Sequence, residues 1–593
     1  SRPFVPKLLG RRRSQLPLIS GALAHYVIST TPRWRPVQNA GAMVRRPVAF
    51  HFAVLHLRML ALDASHGVAP ILPDAADSCD AAQSLLELRV GEAHGDALVP
   101  DGDPTIPPWA RGGEMWRRAV RQPQPRGMMP KQGKPQPMFW DAPTDHFAPA
   151  WEKPPTFRQK YFVDKSFYTQ GGPVFFQLGG EGPVHSPPGG FIAKLAEERS
   201  ALLVQVEHRF YGDSIPNGNV NASNLKLLTV DQALADYAGF IDWFSEQEQL
   251  PNSTKWFAFG GSYPGALASW FRIAYPDKTV GSLSSSGVVN SIFDFVMFDV
   301  HIARAIGKDC AEAFRSVTAA YEEAVLARGD SEANAKKMFG CSPTMSDGDF
   351  FYMLADGLSM LVQYGAKTLM CQNLTQIRST PVCQIAPDGH FCKAFTMTNA
   401  KQLIDGYWGP GFSTGCFYDT ACLSDPARYV AGATDRSWRW QKCYELAYLQ
   451  SAPLPDEMQG GTLLPKALRS SLVNMTYMVE QCRAIFGDFD PVPGAIGFST
   501  QAINARFGGA QPTAKNVFYS NFGDDPWLQA SVMPPRDVDA DQPYSLAMCD
   551  DCGHCKDLRT PSSHDPPEVQ NLRARFVKYL DLWLKNGSDR PGP

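Results

Sequence analysis

The chain has 593 residues, 44% of them hydrophobic, with 56 Lys and Arg against 59 Asp and Glu and a formal net charge of -3. That balance points to neither nucleic acid nor an acidic substrate as a partner, and no run of about 18 apolar residues is available to span a bilayer. The length allows several domains, or one large core with insertions.

Residues 1–135 differ in texture from the rest. No Asp or Glu precedes Asp63, arginines cluster at Arg11-Arg12-Arg13 and Arg45-Arg46, and prolines recur from Pro100 to Pro137 without periodicity. This composition predicts a leader followed by a poorly ordered N-terminal extension. Met43-Val-Arg-Arg and the stretch Pro47 to Leu62 have the basic start and apolar run of a signal peptide, interrupted by His51, His56 and Arg58. A basic arm for membrane or nucleic acid is the alternative, and the apolar residues that dilute the arginines argue against it.

From Phe139 the pattern is that of a folded α/β domain over residues 136–300. Pro173 to Leu178 and Ala201 to Val206 read as buried strands, the first running into Gly179-Gly-Glu-Gly182 and the second into Glu207-His-Arg-Phe-Tyr-Gly212. Val230 to Phe244 carries Ala233, Tyr237, Phe240 and Phe244 at helical spacing. Trp256-Phe-Ala-Phe259 is strand-like, Gly260 and Gly261 break it, and Ala266 to Trp270 resumes as a helix. Val280 to Val289 suggests a further strand. Strands alternating with helices predict a largely parallel sheet covered on both faces.

After about residue 300 the alternation stops. Phe314, Val317, Tyr321 and Val325 mark a helix that can end at Gly329, and Phe350 to Tyr364 reads as another, so residues 301–495 are expected to form a helix-rich, cysteine-rich insertion. The sheet pattern returns in residues 496–593 with Val517-Phe-Tyr-Ser520, and a last helix from about Pro567 to Leu584 aligns Val569, Leu572, Phe576, Leu580 and Trp583. Of 13 cysteines, Cys79 stands apart and twelve lie between Cys310 and Cys555. Together with sequons at Asn221, Asn252, Asn373, Asn474 and Asn586, they favour a glycosylated, disulfide-bonded protein of the secretory pathway.

Ser262 sits at the strand-to-helix turn after Phe259, where a nucleophile elbow exposes a serine hydroxyl. Gly260 and Ser262 fit G-x-S-x-G, while Pro264 stands where the second glycine is expected and Gly265 follows one position late. Proline is tolerated in the first helical turn. A serine needs a base and an orienting acid, which follow it in the order Asp or Glu, then His. Of 12 histidines only His554 and His564 lie beyond Asp524-Asp525. His554 is preferred, in a turn-like segment after the last strand, and Asp525 is preferred over Asp524 because Asp-Pro fixes the turn. Cys549, Cys552, His554 and Cys555 could supply zinc donors, but adjacent residues seldom reach one tetrahedral centre and an oxidising compartment favours disulfides.

Taken together these motifs resemble the proline-specific serine peptidases that include prolyl carboxypeptidase, dipeptidyl peptidase II and thymus-specific serine protease, over roughly residues 137 to 585. The matching stretches are Asp145-His-Phe147, Phe157-Arg-Gln-Lys-Tyr-Phe162, Gly179 to Gly182, Glu207 to Gly212, Gly260-Gly-Ser-Tyr-Pro-Gly265, Trp438-Arg-Trp-Gln-Lys-Cys443 with Glu445, Asp525-Pro-Trp527 and His554-Cys-Lys-Asp-Leu558. The Ser-Tyr-Pro-Gly form is closest to the thymus-specific branch. The resemblance implies an α/β-hydrolase fold with a helical cap inserted between nucleophile and acid. It also implies an exopeptidase acting on peptides after proline or a small residue, with no cofactor and no metal. Ser262 would be the nucleophile, Asp525 the acid and His554 the base, with oxyanion donors at Tyr263 and in the Gly179 to Gly182 loop, where Gly180 is the candidate. Glu181, Trp438 and Trp527 are candidate substrate contacts. Glu207 and Arg209 fit a buried ion pair better than a substrate role, and Trp438, Trp440 and Tyr444 fit packing within the cap. Phe522 departs from the glycine this family has there. The resemblance implies lysosomal, vacuolar or extracellular localisation and leaves homodimerisation open. An esterase or lipase, or a catalytically silent hydrolase-like binding protein, are the competing readings.

Overall fold

The computed structural model describes residues 135–409, 411–428, 434–459, 462–487, 495–533 and 541–587. The expected leader and extension, with Cys79, lie outside the described residues. The strands are β1 (Met138–Pro143), β2 (Thr156–Asp164), β3 (Val174–Leu178), β4 (Leu202–Val206), β5 (Trp256–Gly261), β6 (Gly281–Ser285), β7 (Val517–Phe522) and β8 (Tyr544–Ala547). They form one sheet in the order β1-β2-β4-β3-β5-β6-β7-β8. From β4 to β8 every pairing is parallel, whereas β1 on β2 and β2 on β4 are antiparallel.

Period-two alternation sorts the side chains of the parallel strands into two cores. Phe175, Leu203, Phe257, Phe259, Leu283, Phe518 and Phe522 face one way, onto α1 (Gly190–Arg199) and the C-terminal helix (Pro567–Asn586) with its row of Val569, Leu572, Phe576, Leu580 and Trp583. Val174, Phe176, Leu178, Val204, Val206, Trp256 and Tyr519 face the other way, onto α2 (Val230–Gln247) and α3 (Tyr263–Ala274). Burial on both faces is why these strands read as continuous apolar runs. Phe522 belongs to the first core, so the side chain that departs from the family pattern packs beneath the sheet.

Between β6 and β7 the chain is mainly helical, with α4 (Val296–Ala305), α5 (Gly307–Leu326), α6 (Asp347–Gln363), α7 (His390–Trp408), α8 (Thr434–Gln441) and α9 (Met475–Phe486) among its elements. α5 stops before Gly329. Arg328 and Gly329 both have positive φ, 61° and 59°, and Gly329 begins the next helix. Disulfides join Cys310–Cys371, Cys383–Cys392, Cys416–Cys422, Cys443–Cys482 and Cys549–Cys552, while Cys341 and Cys555 are buried free thiols. The bridges spanning 61 and 39 residues restrict the unfolded chain most. Among the described residues no helix is long and apolar enough to cross a membrane.

Candidate active site

Ser262 occupies the turn between β5 and α3 with φ 64° and ψ -130°, a conformation a non-glycine residue adopts only under constraint. The constraint is visible in the neighbours. A Cβ on Gly260 would lie 1.9 Å from the Pro264 carbonyl oxygen, and one on Gly265 would lie 2.8 Å from the Ser285 oxygen and 2.9 Å from Gly287 Cα. The helix therefore packs against the end of β6 at residue 265 with no room for a Cβ, which is why glycine is needed one position later than G-x-S-x-G has it.

The other two sequence candidates meet. His554 Nδ1 lies 2.7 Å from Asp525 Oδ2, and both side chains are buried. Asp525 Oδ1 accepts from the Trp527 backbone N–H at 3.0 Å, a local Asp-Pro-Trp cap that orients the carboxylate. Burial alone would lower the His554 pKa; the Asp525 carboxylate beside it outweighs that and raises it well above the ordinary value. His554 Nε2 is buried and has no hydrogen-bond partner among the described residues, so it is not bonded to Ser262 Oγ. The two segments nonetheless share an anchor, the Ser285 carbonyl at the end of β6. It accepts from Ser262 N–H at 2.9 Å and from the Cys555 thiol at 3.6 Å. Cys555 also fills the space against Gly261, whose Cβ would come 2.9 Å from its sulfur.

The alternatives lie elsewhere. Asp524 pairs with Lys367 at 2.9 Å, and His564 is exposed and bonds Ser562 within its own turn. Cys549 and Cys552 are joined as a disulfide.

The glycine loop after β3 lies against the elbow. A Cβ on Gly180 would be 2.2 Å from Pro264 Cγ, and the Gly179 carbonyl accepts from Tyr237 OH at 2.8 Å. Because the peptide is planar and trans, that bond turns the Gly180 N–H away from Tyr237. Tyr263 is the first residue of α3, where the N–H has no acceptor within the helix. Glu181 is half-buried; burial raises its pKa to about 6, opposed by its own backbone N–H and by the nearby His554.

Glu207 and Arg209 serve the scaffold. Glu207 pairs with Lys160 at 2.7 Å and accepts from Val184 N–H, Asp213 N–H and Ser214 OH, pinning the loops after β3 and β4. Arg209 pairs with Asp236 at 2.6 Å and donates to the carbonyls of Pro143, Thr144 and Leu227.

Trp527 stands 6.4 Å from the His554 ring and is boxed by Phe295, Phe298 and Tyr448 at 5.7, 5.2 and 5.6 Å between ring centroids. Trp438 lies 5.7 Å from the Tyr263 ring, while Trp440 packs on Tyr444 and Phe486.

Several residues of this arrangement escape a reading of the sequence. The Gln363 carbonyl at the end of α6 accepts from His554 N–H at 2.6 Å. His301 on α4 contacts the Gly523 carbonyl at 2.9 Å, next to the acid turn. Asp557 receives the hydroxyls of Ser285 and Ser520, tying the histidine loop to β6 and β7. Only Asp557 has a local signal, its place in the His554 to Leu558 motif.

A mainly parallel sheet with a serine elbow after β5, an aspartate after β7 and a histidine after β8 defines an α/β-hydrolase. Comparison with known proteins then places the chain more narrowly: residues 142–576 match the family model described as Serine carboxypeptidase S28, and the chain belongs to that family. It is 30% identical to a probable serine protease EDA2 of Arabidopsis thaliana, over 75% of this chain and 88% of that one. It is 27% identical to the thymus-specific serine protease of Mus musculus, over 78% and 89%. It is also 27% identical to the lysosomal Pro-X carboxypeptidase of Bos taurus, over 74% and 86%. The protein is a serine-type peptidase.

Proposed function

We propose that this chain is a serine exopeptidase that cleaves peptides after proline or a small residue, with Ser262 as nucleophile, His554 as base and Asp525 as orienting acid. The observation that carries the reading is the 2.7 Å contact of His554 with Asp525, which leaves Nε2 as the unpartnered ring nitrogen. Ser262 Oγ attacks the scissile carbonyl while Nε2 takes its proton, and the same proton goes to the leaving amine as the acyl-enzyme forms. Water then repeats the sequence on the ester. The N–H groups of Tyr263 and Gly180 donate to the oxyanion.

Two features support the specificity. Trp527, half-buried beside His554 and backed by the buried rings of Phe295, Phe298 and Tyr448, offers an aromatic face suited to a proline ring. Glu181, close enough to His554 for the two to interact electrostatically, suits a charged peptide end. In this reading residues 136–300 and 496–593 form the hydrolase domain and residues 301–495 a cap that restricts entry to chain ends. Five disulfides among the described residues and the exposed sequons at Asn221, Asn252 and Asn586, with the half-buried ones at Asn373 and Asn474, support passage through the secretory pathway to a lysosomal, vacuolar or extracellular site.

The test is a substrate panel of N-blocked peptides ending in Pro-X, free-amine X-Pro reporters and simple esters, with Ser262→Ala as control. Release of a C-terminal residue identifies a carboxypeptidase and release of a dipeptide a dipeptidyl peptidase. Hydrolysis of esters alone, or peptide cleavage that survives Ser262→Ala, refutes the reading.

A further inference from the structure

We propose that Gln441, in the helical segment between β6 and β7, is a positioning residue for the oxyanion site. It holds Tyr263 by its hydroxyl so that the Tyr263 backbone N–H keeps its aim. The proposal rests on reading Ser262 as the nucleophile.

Four buried side chains form one chain of hydrogen bonds. Tyr211 OH donates to Gln441 Oε1 at 2.6 Å, Gln441 Nε2 donates to Tyr263 OH at 2.8 Å, and the Tyr263 oxygen lies 3.2 Å from His208 Nε2. His208 Nδ1 lies 2.7 Å from the Arg209 carbonyl oxygen. The direction of every bond follows from the last. A carbonyl only accepts, so Nδ1 carries the ring proton and Nε2 is the acceptor. Tyr263 OH must therefore donate to His208 and can only accept from Gln441. With the amide turned over, Gln441 Oε1 would face a hydroxyl oxygen whose proton is already committed. One orientation of Gln441 satisfies the set, and burial leaves no solvent to replace it.

The position of Tyr263 gives this chain a function. Its ring is anchored between His208 at 5.6 Å and Trp438 at 5.7 Å, while its backbone leaves the strained Ser262 turn. A shift of the ring moves the peptide that carries the oxyanion donor. Gln441 is itself held firmly. It ends α8 and leads into a π-helical turn, Lys442–Leu446, in which Cys443 is bridged to Cys482 of α9 and Glu445 accepts from Val230 N–H at the start of α2. Single π-turns recur at functional sites. Here the turn lets a segment remote in sequence set the geometry of the elbow.

The experiment uses the full chain with Gln441→Leu, Tyr263→Phe and the double variant, each quantified by fluorophosphonate titration of active sites. The expected result is a fall in kcat per titrated site on the order of 10- to 100-fold, less than the loss of an oxyanion donor outright, with KM little changed. Affinity for a peptide aldehyde, whose adduct is tetrahedral, should fall in parallel. The double variant should fall no further than either single one, because both cut the same link. Wild-type kcat per site in Gln441→Leu overturns the proposal, as does a loss in the double variant equal to the product of the two. If Gln441→Leu does not fold, Tyr263→Phe decides by the same readout, since it removes one atom. Absence of labelling in the folded wild-type protein overturns the nucleophile reading itself; labelling with unimpaired variants overturns the role of Gln441 alone.

Discussion

His554 Nδ1 contacts Asp525 Oδ2 at 2.7 Å, and the other oxygen of that carboxylate is held by the Trp527 backbone N–H at 3.0 Å. This division of labour predicts the effect of Asp525→Asn. The backbone N–H needs an acceptor, so the amide oxygen stays on Trp527 and the NH2 turns to His554. Nδ1 must then accept, which moves the ring proton to Nε2, the atom required as base. The expected loss in kcat is on the order of 10,000-fold with the melting temperature little changed. Activity within tenfold of wild type would show that Asp525 does not set the tautomer.

Gly180 and Pro264 make a second prediction. An alanine at 180 would place its Cβ 2.2 Å from Pro264 Cγ and 2.6 Å from Cδ, both in a ring that cannot rotate away. The loop after β3 would have to retreat from the elbow and carry its N–H with it. Gly180→Ala should lower kcat at least tenfold, in line with mis-aiming an oxyanion donor. Adding Pro264→Gly removes the obstructing ring and should recover most of that loss. Equal impairment in the single and double variants would locate the effect elsewhere.

What the sequence conceals is consistent with these contacts. The central strands read correctly because burial on both faces makes them apolar, and Ser262, Asp525 and His554 stand out together because this fold, rather than the chemistry, sets the chain order serine, acid, histidine. β2 escapes because its buried positions include Gln159 and Lys160, which break the apolar alternation. They are tolerated because Gln159 accepts from Trp140 Nε1 and donates to the Glu207 carbonyl, while Lys160 pairs with Glu207. Gln363 acts through a backbone carbonyl, which no residue type announces. The partner of Arg209 is Asp236 and the partner of Tyr263 is Gln441, pairs that no spacing rule connects. The glycine that the motif has at 264 is needed instead at 265, where the helix approaches Ser285 and Gly287.

Asp557 offers a test of the support beneath His554. One carboxylate oxygen takes the Ser285 hydroxyl and the other the Ser520 hydroxyl, while Arg573 Nε donates to its carbonyl at 2.8 Å. Asp557→Ala leaves two buried hydroxyls without their acceptor, at about 1 to 3 kcal/mol each. The midpoint of thermal inactivation should fall clearly. Ser520→Ala, which removes one donor and leaves the carboxylate its other bond, should cost less. A variant Asp557→Ala as stable as wild type would mean that the other contacts of the histidine loop, among them Cys549–Cys552, Gln363 and the Cys555–Ser285 bond, suffice to hold it.

His208 makes stability depend on pH. Burial lowers its pKa to about 4; the Arg209 carbonyl and Asp236 oppose that, and the Arg209 guanidinium adds to it. The unfolded chain has an ordinary histidine near 6.5. Between these values the unfolded state binds a proton that the native state does not, so stability falls as pH drops from about 6.5 to about 4 and is flat for this group above and below. A shift of this size corresponds to roughly 3 kcal/mol. Desolvation also pushes up two carboxyls, Glu181 to about 6 and Asp435 to about 7, so the measurement is the difference between wild type and His208→Gln in urea midpoints from pH 4 to 7. The variant should lose stability less steeply across that window, and parallel curves would refute the assignment. Turnover adds an independent check. A protonated His208 can no longer accept from Tyr263 OH, so wild-type kcat should decline as pH approaches 4 by an amount that Tyr263→Phe, already without that bond, does not show.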